Sequence, residues 1–270
     1  MQGLSAKSGL TRQSGDPPPA PFDTITRRRQ TLGPMSLLVF QHEATEGPAV
    51  LGQILQTYGH KLRTVKLHQG DAVPPDFDDV DGVISLGGAA NVDETAKYPW
   101  LAAEMDYLKQ AHQRGLGVVG ICLGAQMIAK ALGGEVAAMP APEVGWHPVR
   151  MAFPGTIDPA YAGLTWNRVL FHLHGQEVTK LPAGAAPLSG SKLCKTQAFK
   201  LEMKTYAFQY HFEWSRADIE RMVQDDLVKK AGVNPADILR QSDEHYDSYR
   251  RQGDRLCHTI ANLLFPIDKR

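Results

Sequence analysis

GLGVVGICLGAQMIAKALGG, residues 115–134, sets the organisation of the chain. A short apolar run at 118–121 reads as a buried strand. Cys122 follows, framed by Gly120 and Gly124. A helical pattern then covers 125–132 and stops at Gly133-Gly134. Strand, sharp turn with glycine on both sides of a nucleophile, then helix is a nucleophile elbow with cysteine in place of serine. The tight turn strains the nucleophile's backbone, and small neighbours keep side chains from colliding there. The thiol projects at the C-terminal end of its strand, and the helix N-terminus behind it favours the thiolate. A buried structural cysteine between two packing glycines fits a lone G-x-C-x-G equally well. A base elsewhere in the chain decides between them.

Residues 206–213, YAFQYHFE, supply a candidate. Ala207, Phe208, Tyr210 and Phe212 make the stretch strand-like. His211 and Glu213 are two apart, so on a strand they share a face. A carboxylate there can hold the imidazole in one tautomer and stabilise the imidazolium. Alone, the pair also fits a half-buried strand whose polar side chains face water.

Together, G-I-C-L-G-x-Q and Q-Y-H-F-E resemble the class I glutamine amidotransferases. Within that family the chain most resembles stand-alone proteins similar to the glutaminase domain of GMP synthase. The second motif follows the first by about 90 residues, a separation that suits the family. The resemblance covers 36–213. It implies Cys122, His211 and Glu213 as a catalytic triad, with backbone N–H groups of Gly88 and Leu123 as the oxyanion hole. It also places Gly87, Gln126, His174 and Gly175 near the substrate. Two departures bear on substrate fit: Ala89 and Ala90 follow the Gly87-Gly88 turn where the family has Pro and Met or Ser, and Gln176 follows His174-Gly175 where the family often has Asp. From its position alone, Gln126 could equally lie on a helix surface.

Alternation of strands and helices at 36–41, 49–58, 62–67, 81–86 and 98–114 argues for an α/β fold: a doubly wound, mostly parallel sheet with helices on both faces. Ligands then bind at the C-terminal ends of the strands. From Ser215, a plausible N-cap, the chain turns helical, and Pro235 restarts a second helix. This gives a domain at 35–214 and a helical C-terminal extension at 215–270, packed on the same core or forming an interface. Residues 1–34, rich in Gly, Ser, Pro, Thr and Arg with no apolar periodicity, read as a disordered extension. Translation from Met35, a leader added for expression or a basic transit peptide would each account for it.

The chain has 270 residues and a formal net charge of zero, so nothing in its balance points to nucleic acid or a membrane. No apolar run approaches a transmembrane length. Three cysteines, 122, 194 and 257, lack the spacing of a disulfide scaffold or a zinc site and point to a reducing compartment, the cytoplasm. His172 and His174 share a strand face, but the sequence offers no obvious third ligand, so no metal is expected. No cofactor is expected either. Glu143-Val144-Gly145-Trp146 resembles a family segment and reads as structural.

Three functions follow. One is a glutamine amidotransferase that supplies ammonia to a separate synthase chain. Another is a stand-alone γ-glutamyl hydrolase or peptidase using the same triad on a small-molecule substrate. The third is a non-catalytic binding or regulatory module.

Overall fold

A computed structural model describes residues 36–267; the expectations for 1–34 fall outside them. The chain runs β1 (Ser36–Gln41), α1 (Ala49–Thr57), β2 (Lys61–Lys66), β3 (Val80–Ser85), α2 (Trp100–Gln113), β4 (Gly117–Ile121) and α3 (Leu123–Ala131). It continues through β5 (Glu135–Met151), α4 (Phe153–Thr156), β6 (Asn167–Lys180), β7 (Ala186–Gly190), β8 (Ala198–Leu201) and β9 (Thr205–Phe208). Three helices close it: α5 (Arg216–Met222), α6 (Asp226–Lys230) and α7 (Pro235–Leu264).

Among the described residues these strands form a nine-stranded sheet in the order β2-β1-β3-β4-β9-β8-β7-β5-β6. The half from β2 to β9 is parallel, as the strand-helix alternation predicts. From β9 outward the pairing turns antiparallel, which the alternation did not foretell. There the chain between α3 and α5 builds long hairpins instead of helical crossovers, and antiparallel neighbours need only short connections.

The central strands are mainly apolar, as expected where helices cover both faces. Leu37 and Val39 of β1 share one cluster with Leu51 and Leu55 of α1 and Leu256 and Ile260 of α7. Leu38 and Phe40, pointing the other way, pack with Leu101 and Leu108 of α2 and Met127 and Ile128 of α3. The predicted cap of α5 is present as a capping box: Ser215 Oγ accepts from the Asp218 N–H, and the Asp218 carboxylate accepts from the Ser215 N–H.

The C-terminal helices belong to this core. Trp146 Nε1 on β5 donates to Ile238 O (3.2 Å) and Ser242 Oγ (3.0 Å) on α7. Farther along α7, Tyr249 and Arg250 donate to Trp214 O at 3.2 and 3.0 Å, and Arg250 also reaches Phe212 O at 3.3 Å. At Gly253 the helix lies so close to Phe212 O that a Cβ would strike it. The helix therefore braces the segment that carries His211 and Glu213.

Candidate active site

The elbow is built as its glycines foretold. Cys122 joins β4 to α3 at φ 52° and ψ −107°, a region that residues with a side chain seldom occupy. Its N–H donates to Phe208 O at 2.8 Å, and the Gly124 N–H donates to Leu86 O at 3.1 Å. A Cβ on Gly120 would lie 2.6 Å from Gly124 C, and one on Gly124 would strike Ser85 O. Strand, turn and helix can close on each other only with glycine at both places. The Cys122 side chain is 5% exposed, with Sγ 3.7 Å from Leu173 O.

His211 follows β9 and is held on three sides. Its N–H donates to Phe171 O at 3.0 Å, its ring stacks on Trp214 at 3.6 Å, and Nδ1–H donates to Glu213 Oε1 at 2.7 Å. The other Glu213 oxygen accepts the Phe212 N–H at 2.8 Å. With Nδ1 engaged, Nε2 is the nitrogen left for Cys122, whose side chain also interacts with the ring. Burial opposes a charge on His211, but the Glu213 carboxylate and the Cys122 side chain outweigh it and raise the imidazole to about 10.

Glu46, in the loop after β1, has no counterpart in the sequence reading. It is 7% exposed and lines the cleft beside Cys122. Burial raises its carboxyl to about 7; the nearby His211 pulls it down, and Glu213 pushes it further up. A Cβ on Gly87 would strike Glu46 Oε2 and lie 3.0 Å from His211 Cε1. A glutamate placed just beyond the C-terminal end of a parallel strand was the available signal.

Beneath the Gly87-Gly88 turn lies a buried polar chain that the sequence reading also missed. His42 Nδ1 donates to Gly87 O at 3.0 Å, and Nε2 faces Glu104 Oε2 at 2.8 Å. Ser85 Oγ donates to the other Glu104 oxygen at 2.7 Å. Burial lowers the His42 pKa, but the Glu104 carboxylate more than compensates and the net shift is upward. Gly88 packs against both His42 and Leu123: a Cβ there would lie 2.7 Å from His42 Cβ and 3.2 Å from Leu123 Cδ2. Leu123 is the first residue of α3, so its N–H has no carbonyl partner within the helix.

A cleft of about 570 Å³ opens over these groups, lined by Glu46, Gly88, Cys122, Leu123, Gln126 and Gly175 among others. Its far wall includes Asp225, Asp226 and Lys230 at α6. Gln126 is 4% exposed and therefore not a helix-surface residue. Its amide nitrogen donates to Gln176 O (3.2 Å) and Gln209 Oε1 (3.1 Å). His174 reaches the cleft wall, but Nδ1 donates to Gln176 O at 3.0 Å and Nε2 lies 3.1 Å from Glu143 Oε2. Gln176 accepts the Val92 N–H (3.1 Å) and donates to Asp93 (3.1 Å), tying this wall to the loop after the Gly-Gly turn.

The fold supplies the third group that spacing did not give His172 and His174. Glu143 pairs with His174 in the β5–β6 register, and ligand atoms of the three lie within 4.8 Å of one another. The Glu143 carboxylate also accepts from Ser191 Oγ at 2.6 Å and from Gln197 Nε2. Burial opposes its charge, but His174 and Ser191 hold its pKa below the ordinary value. Its oxygens are thus engaged in a hydrogen-bond network. Cys194 and Cys257 are buried, and burial pushes both thiols up.

The family model for glutamine amidotransferase class-I matches residues 49–230. The chain belongs to the class I glutamine amidotransferase family. Among relatives in this family, the glutamine amidotransferase-like protein YfeJ of Salmonella typhimurium is 28% identical over 226 residues, 82% of this chain and 94% of that protein. One subunit of the glutamine-hydrolyzing GMP synthase of Thermoplasma volcanium is 32% identical over 157 residues, 56% of this chain and 72% of that relative. The crystal structure of a glutamine amidotransferase from Methylobacillus flagellatus shares the fold, with a TM-score of 0.76 and 24% identity over 86% of this chain and 96% of that one. The family match and the shared structure agree on the α/β fold. No described helix is long and apolar enough to cross a membrane.

Proposed function

We propose that this protein hydrolyses the γ-carboxamide of glutamine to glutamate and ammonia through a thioester on Cys122. One observation carries the reading: Cys122 sits at a strained elbow opposite a His211 whose Nδ1 is held by Glu213 at 2.7 Å. His211 Nε2 takes the thiol proton, and sulfur attacks the amide carbon. The N–H groups of Gly88 and Leu123 receive the oxyanion. As the tetrahedral intermediate collapses, the C–N bond breaks and His211 Nε2–H protonates the nitrogen, which leaves as ammonia. Water then loses a proton to His211 and attacks the thioester; the C–S bond breaks and the thiol is restored. No step calls for a metal or cofactor. Gly87, Gln126, His174 and Gly175 shape the wall against the glutamine.

Residues 35–214 form the catalytic domain in this reading, with 215–270 as its brace. The GMP synthase subunits among the relatives suggest a separate synthase chain as the ammonia acceptor. A thiol nucleophile suits the reducing cytoplasm. Hydroxylamine tests the thioester: trapping should give γ-glutamyl hydroxamate from glutamine with the wild type and none with Cys122→Ala. Hydroxamate formed equally by both proteins would refute the proposal.

The size of the cleft favours a second reading. A space of about 570 Å³ falls within the range of ordinary ligand pockets and exceeds what one glutamine fills. The same triad could therefore release a larger amine from a γ-glutamyl amide or peptide. Faster turnover of such compounds than of glutamine selects that reading.

A further inference from the structure

The peptide between Gly87 and Gly88 is anchored from below. Its carbonyl oxygen accepts from His42 Nδ1 at 3.0 Å, and His42 is itself fixed by Glu104 at 2.8 Å and by stacking on Trp100 at a centroid distance of 5.0 Å. The polar links are interior, with Trp100 half-buried over them: His42 is 3% exposed, Glu104 and Ser85 are fully buried, and Ser85 Oγ holds the second Glu104 oxygen at 2.7 Å.

In a trans peptide the C=O and the following N–H point in opposite directions, and the chain has no cis peptide among the described residues. Fixing the Gly87 carbonyl on His42 therefore fixes the Gly88 N–H, which turns away from His42. A peptide with glycine on both sides flips easily, because neither residue carries a Cβ to restrict it. Such a turn needs a partner on its carbonyl to hold one orientation. Gly87 and Gly88 cannot give up their glycines to gain rigidity, since Cβ atoms there would collide with Glu46 and His42.

We infer that His42, oriented by Glu104, is a positioning residue that locks the Gly87-Gly88 peptide so that the Gly88 N–H stands ready as an oxyanion donor before substrate arrives. The inference rests on the hydrolytic reading of Cys122 and extends it: the hole is preformed, and the lone protein is competent without an activating partner. His42 touches no reacting atom and acts only through the peptide it holds.

Two double variants isolate the donor. His42→Leu with Glu104→Gln removes it without leaving a buried carboxylate unpaired. His42→Asn with Glu104→Gln restores an amide N–H at about the position of Nδ1. For each, kcat and KM are measured on glutamine, together with the rate of Cys122 alkylation by iodoacetamide, a displacement at carbon that develops no oxyanion. The Leu variant should lose about 10²- to 10³-fold in kcat, the usual cost of one oxyanion donor. Its KM and alkylation rate should stay within about threefold of wild type, and the Asn variant should recover at least about tenfold of the lost kcat.

Equal kcat for the two double variants overturns the inference, as does an alkylation rate that falls in step with kcat. A wild type inert on glutamine alone but active beside a synthase chain overturns the preformed hole and leaves the hydrolytic reading standing. A wild type inert in every setting, with Cys122 unreactive, overturns both.

Discussion

Glu46 and His211 meet at Gly87: a single methyl group on that Cα would touch the carboxylate of one and the ring edge of the other. A second buried carboxyl thus lies close to the imidazole, besides that of Glu213. Glu213 is hydrogen-bonded to the ring and raises its pKa. Glu46 is raised to about 7 chiefly by its own burial.

That shift has a thermodynamic consequence. An acid whose folded pKa is raised binds its proton more tightly in the folded protein. Its contribution is fully present below the ordinary value of 4.5 and is lost as pH rises through about 7. Glu46→Gln removes the ionisation, so its stability relative to wild type should improve between pH 4.5 and 8, by at most roughly 3 kcal/mol. Urea denaturation across that range measures it. A difference independent of pH would mean that Glu46 ionises freely in the fold.

Glu213→Gln should remove the carboxylate that raises His211 and permit the wrong tautomer. We expect kcat to fall by about 10²- to 10⁴-fold. Any residual activity should show its basic limb at lower pH, because the His211 pKa drops from about 10 when its anionic partner is lost. An unshifted pH–rate profile would contradict the assigned role.

The elbow leaves no space at Gly124. Gly124→Ala would drive its methyl into Ser85, whose Oγ lies 2.6 Å from the position it must take. Overpacking of this kind costs about 1–3 kcal/mol, and here it also displaces the start of α3 and Leu123. Thermal unfolding should report a lower midpoint together with loss of glutaminase activity; unchanged values of both would mean that the turn relaxes freely.

Gly253 offers a remote test of the brace. Gly253→Ala places a methyl against Phe212 O and pushes α7 from the segment carrying His211. We expect lower stability, again by about 1–3 kcal/mol, and a reduced kcat with little change in KM. If kcat is retained at the wild-type level, α7 supports the fold but does not position His211.

The parallel half of the sheet, the elbow and the Ser215 cap were legible because each rests on local chemistry: apolar runs, paired glycines and a capping box. His211 and Glu213 stood out as a pair two residues apart, but β9 ends at Phe208, so it is the bend after the strand, not a shared strand face, that brings the carboxylate to 2.7 Å from the ring. Glu46, His42 and Glu104 were not legible, since their roles arise from contacts between segments far apart in sequence, as in the 62-residue separation of His42 from Glu104. Glu143 escaped for the same reason: its approach to His174 depends on the β5–β6 register. Gln126 could be placed on a helix from its sequence, but its burial depended on Gln176 of β6 and Gln209, just after β9, arriving from distant segments.

The central claim is that Cys122 is a nucleophile acting on a glutamine carboxamide. Ammonia release from glutamine by the purified wild type and by Cys122→Ala, measured side by side, tests it most directly. The account predicts steady release by the wild type and none above background by the variant. Equal release by both, or release by neither with a Cys122 that resists electrophilic glutamine analogues, would contradict it.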